Sequence, residues 1–582
     1  MAEKNVLEIK NFSVSFLSND IYIPAIRNIS LQIKEGEILA IVGESGSGKS
    51  VTALSILQLL PPMPAKKQSG EIIFFTKNQS ITLNDSSFKV LENIRGNKIG
   101  IVFQEPMSSL NPVLTCGAQL VEAMKAHQKW SDDKAGEEVI HLLNELALPH
   151  PELLFKKYPH QLSGGQQQRV MIAMAICCKP ALLVCDEPTT ALDTIVQKNI
   201  LELIQSVRKK FGMAVLFISH DLGVVAEIAD RIVVMYKGEI VETGSRDTIL
   251  KSPTHPYTKS LLYCRPSLYA KGDKLPVIDD FLNNPNYEKK VVELFKKDRD
   301  SINHIEKKIT PVLVSLQSVN VIFQGEKRFL GAHAPSVHAV KDVSFDIFEG
   351  ETLGLVGESG CGKTTLGRAL AKLQPITEGK IFFRGKDLSQ LSAKEMRKQR
   401  TMIQVIFQDP YSSLNPRIRV GDAIAEPLKV HYASLKRKEI KNRVVELLIK
   451  TGLKEQFYYR YPHECSGGQR QRIVIARALA LNPTFVICDE SVSALDMNVQ
   501  AQILNLLNEL KELFQFTALF ISHDLSVFRY ISDRILVMDK GRIIEKGLTK
   551  DIYENPQTEY TKRLLEAIPG KEYFIPGNQN IE

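Results

Sequence analysis

The chain has 582 residues, 44% hydrophobic and 24% charged, with a formal net charge of +8. This composition fits globular protein, is too apolar for a disordered chain, and the length allows roughly three to five domains. The charge is modest for the length and reads as solvated surface, so no nucleic-acid partner is expected.

No stretch approaches the ~20 uninterrupted apolar residues of a spanning helix. The opening MAEKNVLEIKNF has no apolar core of a signal peptide, so none is expected there. The eight cysteines form no CxxC pair and lie mostly in apolar runs or inside motifs, a usage expected of a reducing compartment.

In chain order, strand-like alternation covers Val6 to Phe16, Ile29 to Ile33 and Glu37 to Val42. The third strand runs straight into GESGSGKS, Gly43 to Ser50, and a helical pattern follows. That strand–loop–helix order is what a phosphate-binding loop requires. Gly43, Ser45, Gly46 and Gly48 let backbone N–H groups turn inward on a phosphate at a helix start. Lys49 would reach the β- and γ-phosphates of ATP, and Ser50 would place a hydroxyl on Mg²⁺. The polar stretch near Ala65 to Asn97 reads as a lengthened surface loop.

FQEPMSSLNP follows, with Gln104, then an amphipathic stretch from Leu114 to Leu148 that predicts a helical subdomain. Ser163, Gly164 and Gly165 open the next helix in SGGQQQR, an anion site with no lysine of its own. The strand Leu182 to Cys185 ends at Asp186, placed to hold Mg²⁺. Glu187 follows at once, points the other way, and suits polarisation of an attacking water. The strand Val215 to Ile218 leads to His220, and HPYTKSLL closes the unit. Residues from Arg265 to about Ile309, rich in proline, asparagine and lysine, read as a solvated connector, partly helical after Tyr287.

The whole order then returns. Strands are expected at Val312 to Phe323, Val343 to Ile347 and Thr352 to Val356, before GESGCGKT with Gly357, Ser359, Gly360, Gly362, Lys363 and Thr364. FQDPYSSLNP carries Gln408, a second helical stretch covers Val420 to Gly452, and SGGQRQR carries Ser466, Gly467 and Gly468. Asp489 and Glu490 end the next strand, and His523 follows Ala518 to Ile521; these stand 303 residues after their first-half counterparts. One glycine-rich loop names a nucleotide binder weakly; two in the same context leave chance negligible. The class is α/β: two tandem P-loop domains at 1–264 and 312–570, a linker at 265–311 and a tail at 571–582.

With SGGQ in place, both halves resemble the nucleotide-binding domains of ATP-binding cassette (ABC) proteins. The resemblance implies a RecA-like core, an antiparallel β subdomain and a helical subdomain in each half. It implies an ATPase whose two halves form an intramolecular head-to-tail dimer. Site one would be Lys49, Ser50, Gln104, Asp186, Glu187 and His220, closed by Ser466, Gly467 and Gly468. Site two would be Lys363, Thr364, Gln408, Asp489, Glu490 and His523, closed by Ser163, Gly164 and Gly165. Glu187, Glu490, His220 and His523 would be catalytic; Ser50, Gln104, Asp186, Thr364, Gln408 and Asp489 would hold Mg²⁺. Asp193 and Asp496 resemble the aspartates that link the sites, and Phe16 and Phe323 the aromatic that stacks on adenine.

Cys465 and Ser491 depart from the pattern without touching a phosphate contact, so both sites are expected to hydrolyse ATP. The glutamine loops and the PYT-type elements are similar to those of dipeptide, oligopeptide and nickel importers, and the chain looks like a fusion of their two ATPase subunits. Only Cys264 follows the PYT element, so no iron–sulfur cluster is expected. The implied partners are two transmembrane permease subunits and an external binding protein, met from the cytoplasmic face of the inner membrane. Nickel or glutathione-type import and a tandem ATPase acting on the ribosome are the alternatives.

Overall fold

The computed structural model describes residues 4–18, 20–62, 66–76, 79–190, 192–284, 286–296, 310–324, 336–493 and 495–573. Each half is built on a six-stranded sheet. In the first half its central strands are Ile38–Val42, Ala214–Ser219 and Leu182–Asp186, all parallel. Every residue in these three strands is buried, as expected of a sheet covered on both faces. Arg231–Tyr236 continues the parallel order, and Glu239–Ser245 closes that edge antiparallel. The second half repeats this with Thr352–Val356 between Thr517–Ser522 and Arg534–Asp539. Each half adds a four-stranded antiparallel sheet, and two amphipathic helices (Cys116–Lys125 and Asp132–Glu145; Val420–His431 and Arg437–Lys450) form the helical subdomain. The α/β class and the tandem arrangement are therefore as the sequence predicts.

Three apolar clusters hold the molecule. Two lie between each antiparallel sheet and its six-stranded neighbour. The third runs without a break from the first half into the second. Among the described residues no helix is long and apolar enough to cross a membrane.

Two expectations are corrected. The stretch near Ala65 to Asn97 is not a loop. It contains the strand Lys66–Phe75, a short strand Ser80–Thr82 and the helix Phe88–Ile94, which buries Leu91 and Ile94 beneath polar neighbours. Of the segment after Arg265, residues 297–309 lie outside the described residues, and the described part up to Lys296 is not a solvated connector either. Tyr269, Leu275, Ile278, Phe281 and Val291 are buried in the shared cluster. Tyr263 stacks on Phe281, whose ring centroid lies 5.2 Å from that of Tyr287 in an edge contact, so the segment is anchored on the first half. The helix Tyr287–Lys296 bears out the helical reading there, and Lys259 pairs with its Glu288 at 2.6 Å. The segment then binds the second half: Lys271 pairs with Asp533 at 2.5 Å. Asn505 accepts the Leu275 N–H at 3.0 Å and donates to the Leu275 carbonyl at 2.8 Å. Scattered apolar residues among prolines and lysines carry no period, which is why the strap was not legible.

Replacing Asn505 by alanine removes its two hydrogen bonds to the Leu275 backbone and the one it accepts from Tyr530. The expected cost is about 2–4 kcal/mol of unfolding free energy, read by denaturant titration. An unchanged midpoint would mean that the strap is not held there.

Candidate functional site

Each site begins at the abrupt start of a helix. Gly48 and Gly362, with φ of 102° and 111°, cap the helices Lys49–Ile56 and Lys363–Leu370. A Cβ at Gly362 would lie 2.3 Å from the Ala339 carbonyl oxygen. Only glycine allows that combination of left-handed backbone and close approach. Lys49 and Lys363 are buried, and each ammonium donates to two loop carbonyls. The distances are 2.7 and 2.8 Å to Gly43 and Glu44, and 2.7 and 2.9 Å to Gly357 and Glu358. Burial pushes the Lys49 pKa down, and neighbouring carboxylates, Glu187 foremost, only partly restore it.

The two members of each acidic pair meet different partners. Asp186 Oδ1 accepts from Ser50 Oγ at 3.0 Å, and Asp489 Oδ1 from Thr364 Oγ1 at 3.0 Å. Glu187 and Glu490 follow with φ of 48°, a left-handed turn that throws their carboxylates to the other side. There Glu187 meets His220 Nδ1 at 3.1 Å and accepts from Thr190 at 2.9 Å and from Gln104 at 3.3 Å. Glu490 lies 3.5 Å from His523 Nδ1 and accepts from Gln408 at 2.7 Å. Ser493, at the place of Thr190, donates instead to the Glu490 carbonyl.

Charge follows geometry. Burial pushes the Asp186 carboxyl up to about 6, against the pull of Ser50 and Lys49. Burial would also raise Glu187, but the hydrogen bond and charge of His220, aided by Lys49 and Thr190, hold it near 2. Glu490 is likewise lowered, with His523 overcoming its burial. Adjacent carboxylates are thus driven apart: one near a hydroxyl, fit for a cation, and one kept ionised beside an imidazole. The hydroxyl–carboxylate pairs and the nearby glutamine amides are a hard-oxygen set that suits Mg²⁺.

Around the second loop lies a cavity of about 580 Å³, lined by Lys363, Thr364, Gln408, Tyr411, Glu490 and His523 among others. Ser359, Gly360 and the second half's own Gly467 also line it, whereas Ser163, Gly164 and Gly165 are not in the lining. The signature serines cap their helices Gly164–Ile176 and Gly467–Leu479, accepting the Gln166 and Gln469 N–H groups. Asp193 and Asp496 cap the helices Thr194–Phe211 and Met497–Phe514. Asp496 also faces the opposite phosphate loop: after burial, its charge is the main reason the Glu44 carboxyl is raised. Asp193 does the same to Glu358. Phe16 is half-buried against the first-half cluster, and Phe323 is 40% exposed at its strand end.

The motif reading missed three groups. Tyr257 and Tyr560, in the PYT-type elements, accept the Glu44 and Glu358 N–H groups at 2.8 and 3.0 Å and so fix the phosphate loops. Asn498 reaches across the halves and donates to Glu44 Oε1 at 2.7 Å. Their long sequence separation hides these contacts from any local pattern.

This geometry is that of a nucleoside-triphosphate hydrolase with two sites on one chain. The family description "ABC transporter" matches residues 26–190 and 340–493. "Oligopeptide/dipeptide transporter, C-terminal region" matches residues 241–289 and 544–573. The chain belongs to the ABC transporter family and is an ATP-hydrolysing importer subunit of the oligopeptide/dipeptide class. Among curated relatives, the "Glutathione import ATP-binding protein" of Salmonella choleraesuis (strain SC-B67) is 46% identical over 571 residues, covering 97% of this chain and 90% of that protein. The protein of the same name from Escherichia coli O157:H7 is 46% identical over 573 residues, covering 98% and 90%.

Substituting Tyr257 and Tyr560 together by phenylalanine removes one neutral hydrogen bond from each phosphate loop. About 1 kcal/mol per site, or roughly fivefold weaker ATP binding, is expected in titration calorimetry. Unaltered affinity would remove the tyrosines from the site.

Proposed function

We propose that this chain powers peptide uptake from the cytoplasmic face of the inner membrane. Its partners in this reading are two transmembrane permease subunits and an external binding protein. One observation carries it: a complete lysine, hydroxyl–aspartate and glutamate–histidine set stands at both phosphate loops of a chain that also has the peptide-importer C-terminal region. A glutathione-type cargo is the second reading, favoured by the names of relatives at 46% identity; nickel stands behind it.

At each site Lys49 or Lys363 binds the β- and γ-phosphates. Ser50, Gln104 and Asp186, and Thr364, Gln408 and Asp489, would hold Mg²⁺, which when bound neutralises charge between those phosphates. Glu187 and Glu490 polarise the attacking water; His220 and His523 contact the γ-phosphate. Ser466, Gly467 and Gly468 close site one, and Ser163, Gly164 and Gly165 close site two. The mutual approach of each capping aspartate and the opposite phosphate-loop glutamate supports that head-to-tail pairing. Phe16 and Phe323 stack on adenine. Closure is passed to the permeases through the SSLNP segments and the helical subdomains; beside the SSLNP segments Val113 and Tyr411 are 75% and 65% exposed.

The combined Glu187→Gln and Glu490→Gln variant should keep ATP bound in a closed state while turnover falls by orders of magnitude. Filter binding and phosphate release read the two quantities. Undiminished steady-state hydrolysis would sink the assignment of these glutamates.

A further inference from the structure

We propose that Arg265 is a positioning residue of the first ATP site, tying the segment that follows His220 to the carboxy-terminal turn of the second half. It rests on the assignment of His220 to that site. The Arg265 side chain is only 5% exposed, and a guanidinium that deep must be paired. Its Nη2 lies 3.5 Å from Asp221 Oδ1 and donates to the Pro569 carbonyl at 3.2 Å. Asp221 follows His220 directly and caps the helix Leu222–Ile228, accepting the Gly223 N–H at 2.7 Å. The far end of that short helix is tied as well: Glu227 Oε1 accepts the Gly570 N–H at 3.1 Å. Two consecutive residues of the second half therefore grip both ends of the helix that follows His220.

The space for this grip is built in. A Cβ at Gly223 would lie 2.3 Å from Arg265 Nη2 and 2.6 Å from the Pro569 carbonyl oxygen. The second site is not built this way. In the matching register, with Pro569 opposite Pro266, Ile568 stands for Arg265, Ser526 for Gly223 and Tyr530 for Glu227. There the turn Pro266–Leu268 packs against the helix Leu525–Ile531, and Arg529 reaches the Ser267 carbonyl at 3.5 Å from an exposed position. The phosphate loops share the bias. Asn498 bonds Glu44 and also accepts the Ile278 N–H of the strap at 3.0 Å, while Ile195 stands at the corresponding place opposite Glu358.

The two sites are thus coupled unequally to the docking of the halves. Any rotation of the second half carries Pro569 and Gly570 with it and moves Asp221, and with it the backbone of His220. The helix after His523 is linked to the first-half segment by the exposed Arg529–Ser267 contact and the part-exposed Lys271–Asp533 pair, and among the described contacts neither reaches Asp524. Arg265 makes no contact with the reacting phosphates in this account; it sets where His220 stands when Glu187 is paired to it.

Two readouts on the full chain test this. In Arg265→Gln, backbone amide exchange over residues 220–228 should quicken by about tenfold, the loss of one charge-assisted bond, with residues 523–531 unchanged. In the same variant, photolabelling by an azido-ATP analogue trapped with vanadate, assigned to each half by mass spectrometry, should fall several-fold in first-half peptides alone. Arg265→Lys, which keeps the charge, should restore part of the loss. If Arg265→Gln does not fold, Glu227→Ala, which frees Gly570, is read the same way. Equal loss in both halves, or unchanged exchange at 220–228, overturns the proposal. Absence of trapped label in the unmodified chain would sink the ATPase assignment instead and leave the exchange result to stand alone.

Discussion

A lysine ammonium buried against two loop carbonyls is the constraint from which each half is built. Lys49 and Lys363 can lie this deep only because the loops curl their carbonyls toward them and place carboxylates near by. Burying such a charge is costly unless it is paired, so the surrounding structure is committed to rigidity there. The parallel strands supply it. They bring the hydroxyl–aspartate and glutamate–histidine pairs to the same end of the sheet, where ligands sit in open α/β folds. The tyrosine of each PYT-type helix then locks the loop from behind. A phosphate entering this site finds a cation, helix-start amides and a cation-ready carboxylate already in place, with little left to reorganise.

Joining the halves is a separate problem, solved by the strap and by exchange of termini. The strap adds apolar surface to a core that both halves share, so they are not two beads on a string. The turn after each PYT helix packs on the helix that follows the other half's histidine, His523 or His220, through Pro266–Leu268 in one direction and Pro569–Gly570 in the other. With both halves on one chain such exchange can become unequal, and here it has: the buried arginine, Arg265, falls on the first site, whereas Arg529 at the second is exposed. That inequality is consistent with the smaller departures at Ser491 and Ser493, which also distinguish the second site from the first.

Much of this was legible because phosphate chemistry leaves local marks. The glycine-rich loops, the strand-ending carboxylates and the histidines His220 and His523 lie in short local motifs, and the structure sets Glu187 beside His220 and Glu490 beside His523. Strand ends were read short where polar residues lengthen the antiparallel sheet, as at Ile21–Lys34, whose outer half is exposed. The strap, the tyrosine locks and Asn498 were invisible for another reason. Their partners lie hundreds of residues away, and one hydrogen bond to a backbone group imposes no pattern on sequence. The capping role of Asp193 and Asp496 was masked by the stronger family resemblance, although an aspartate before an apolar helix is itself a cap signal.

The central claim is that this two-site ATPase works on a membrane channel rather than alone. Affinity capture of the tagged chain from gently solubilised membranes, with mass spectrometry of what remains bound, tests it most directly. Two multi-span proteins, in amounts matching the chain, are expected. Ribosomal proteins with no multi-span partner would contradict it.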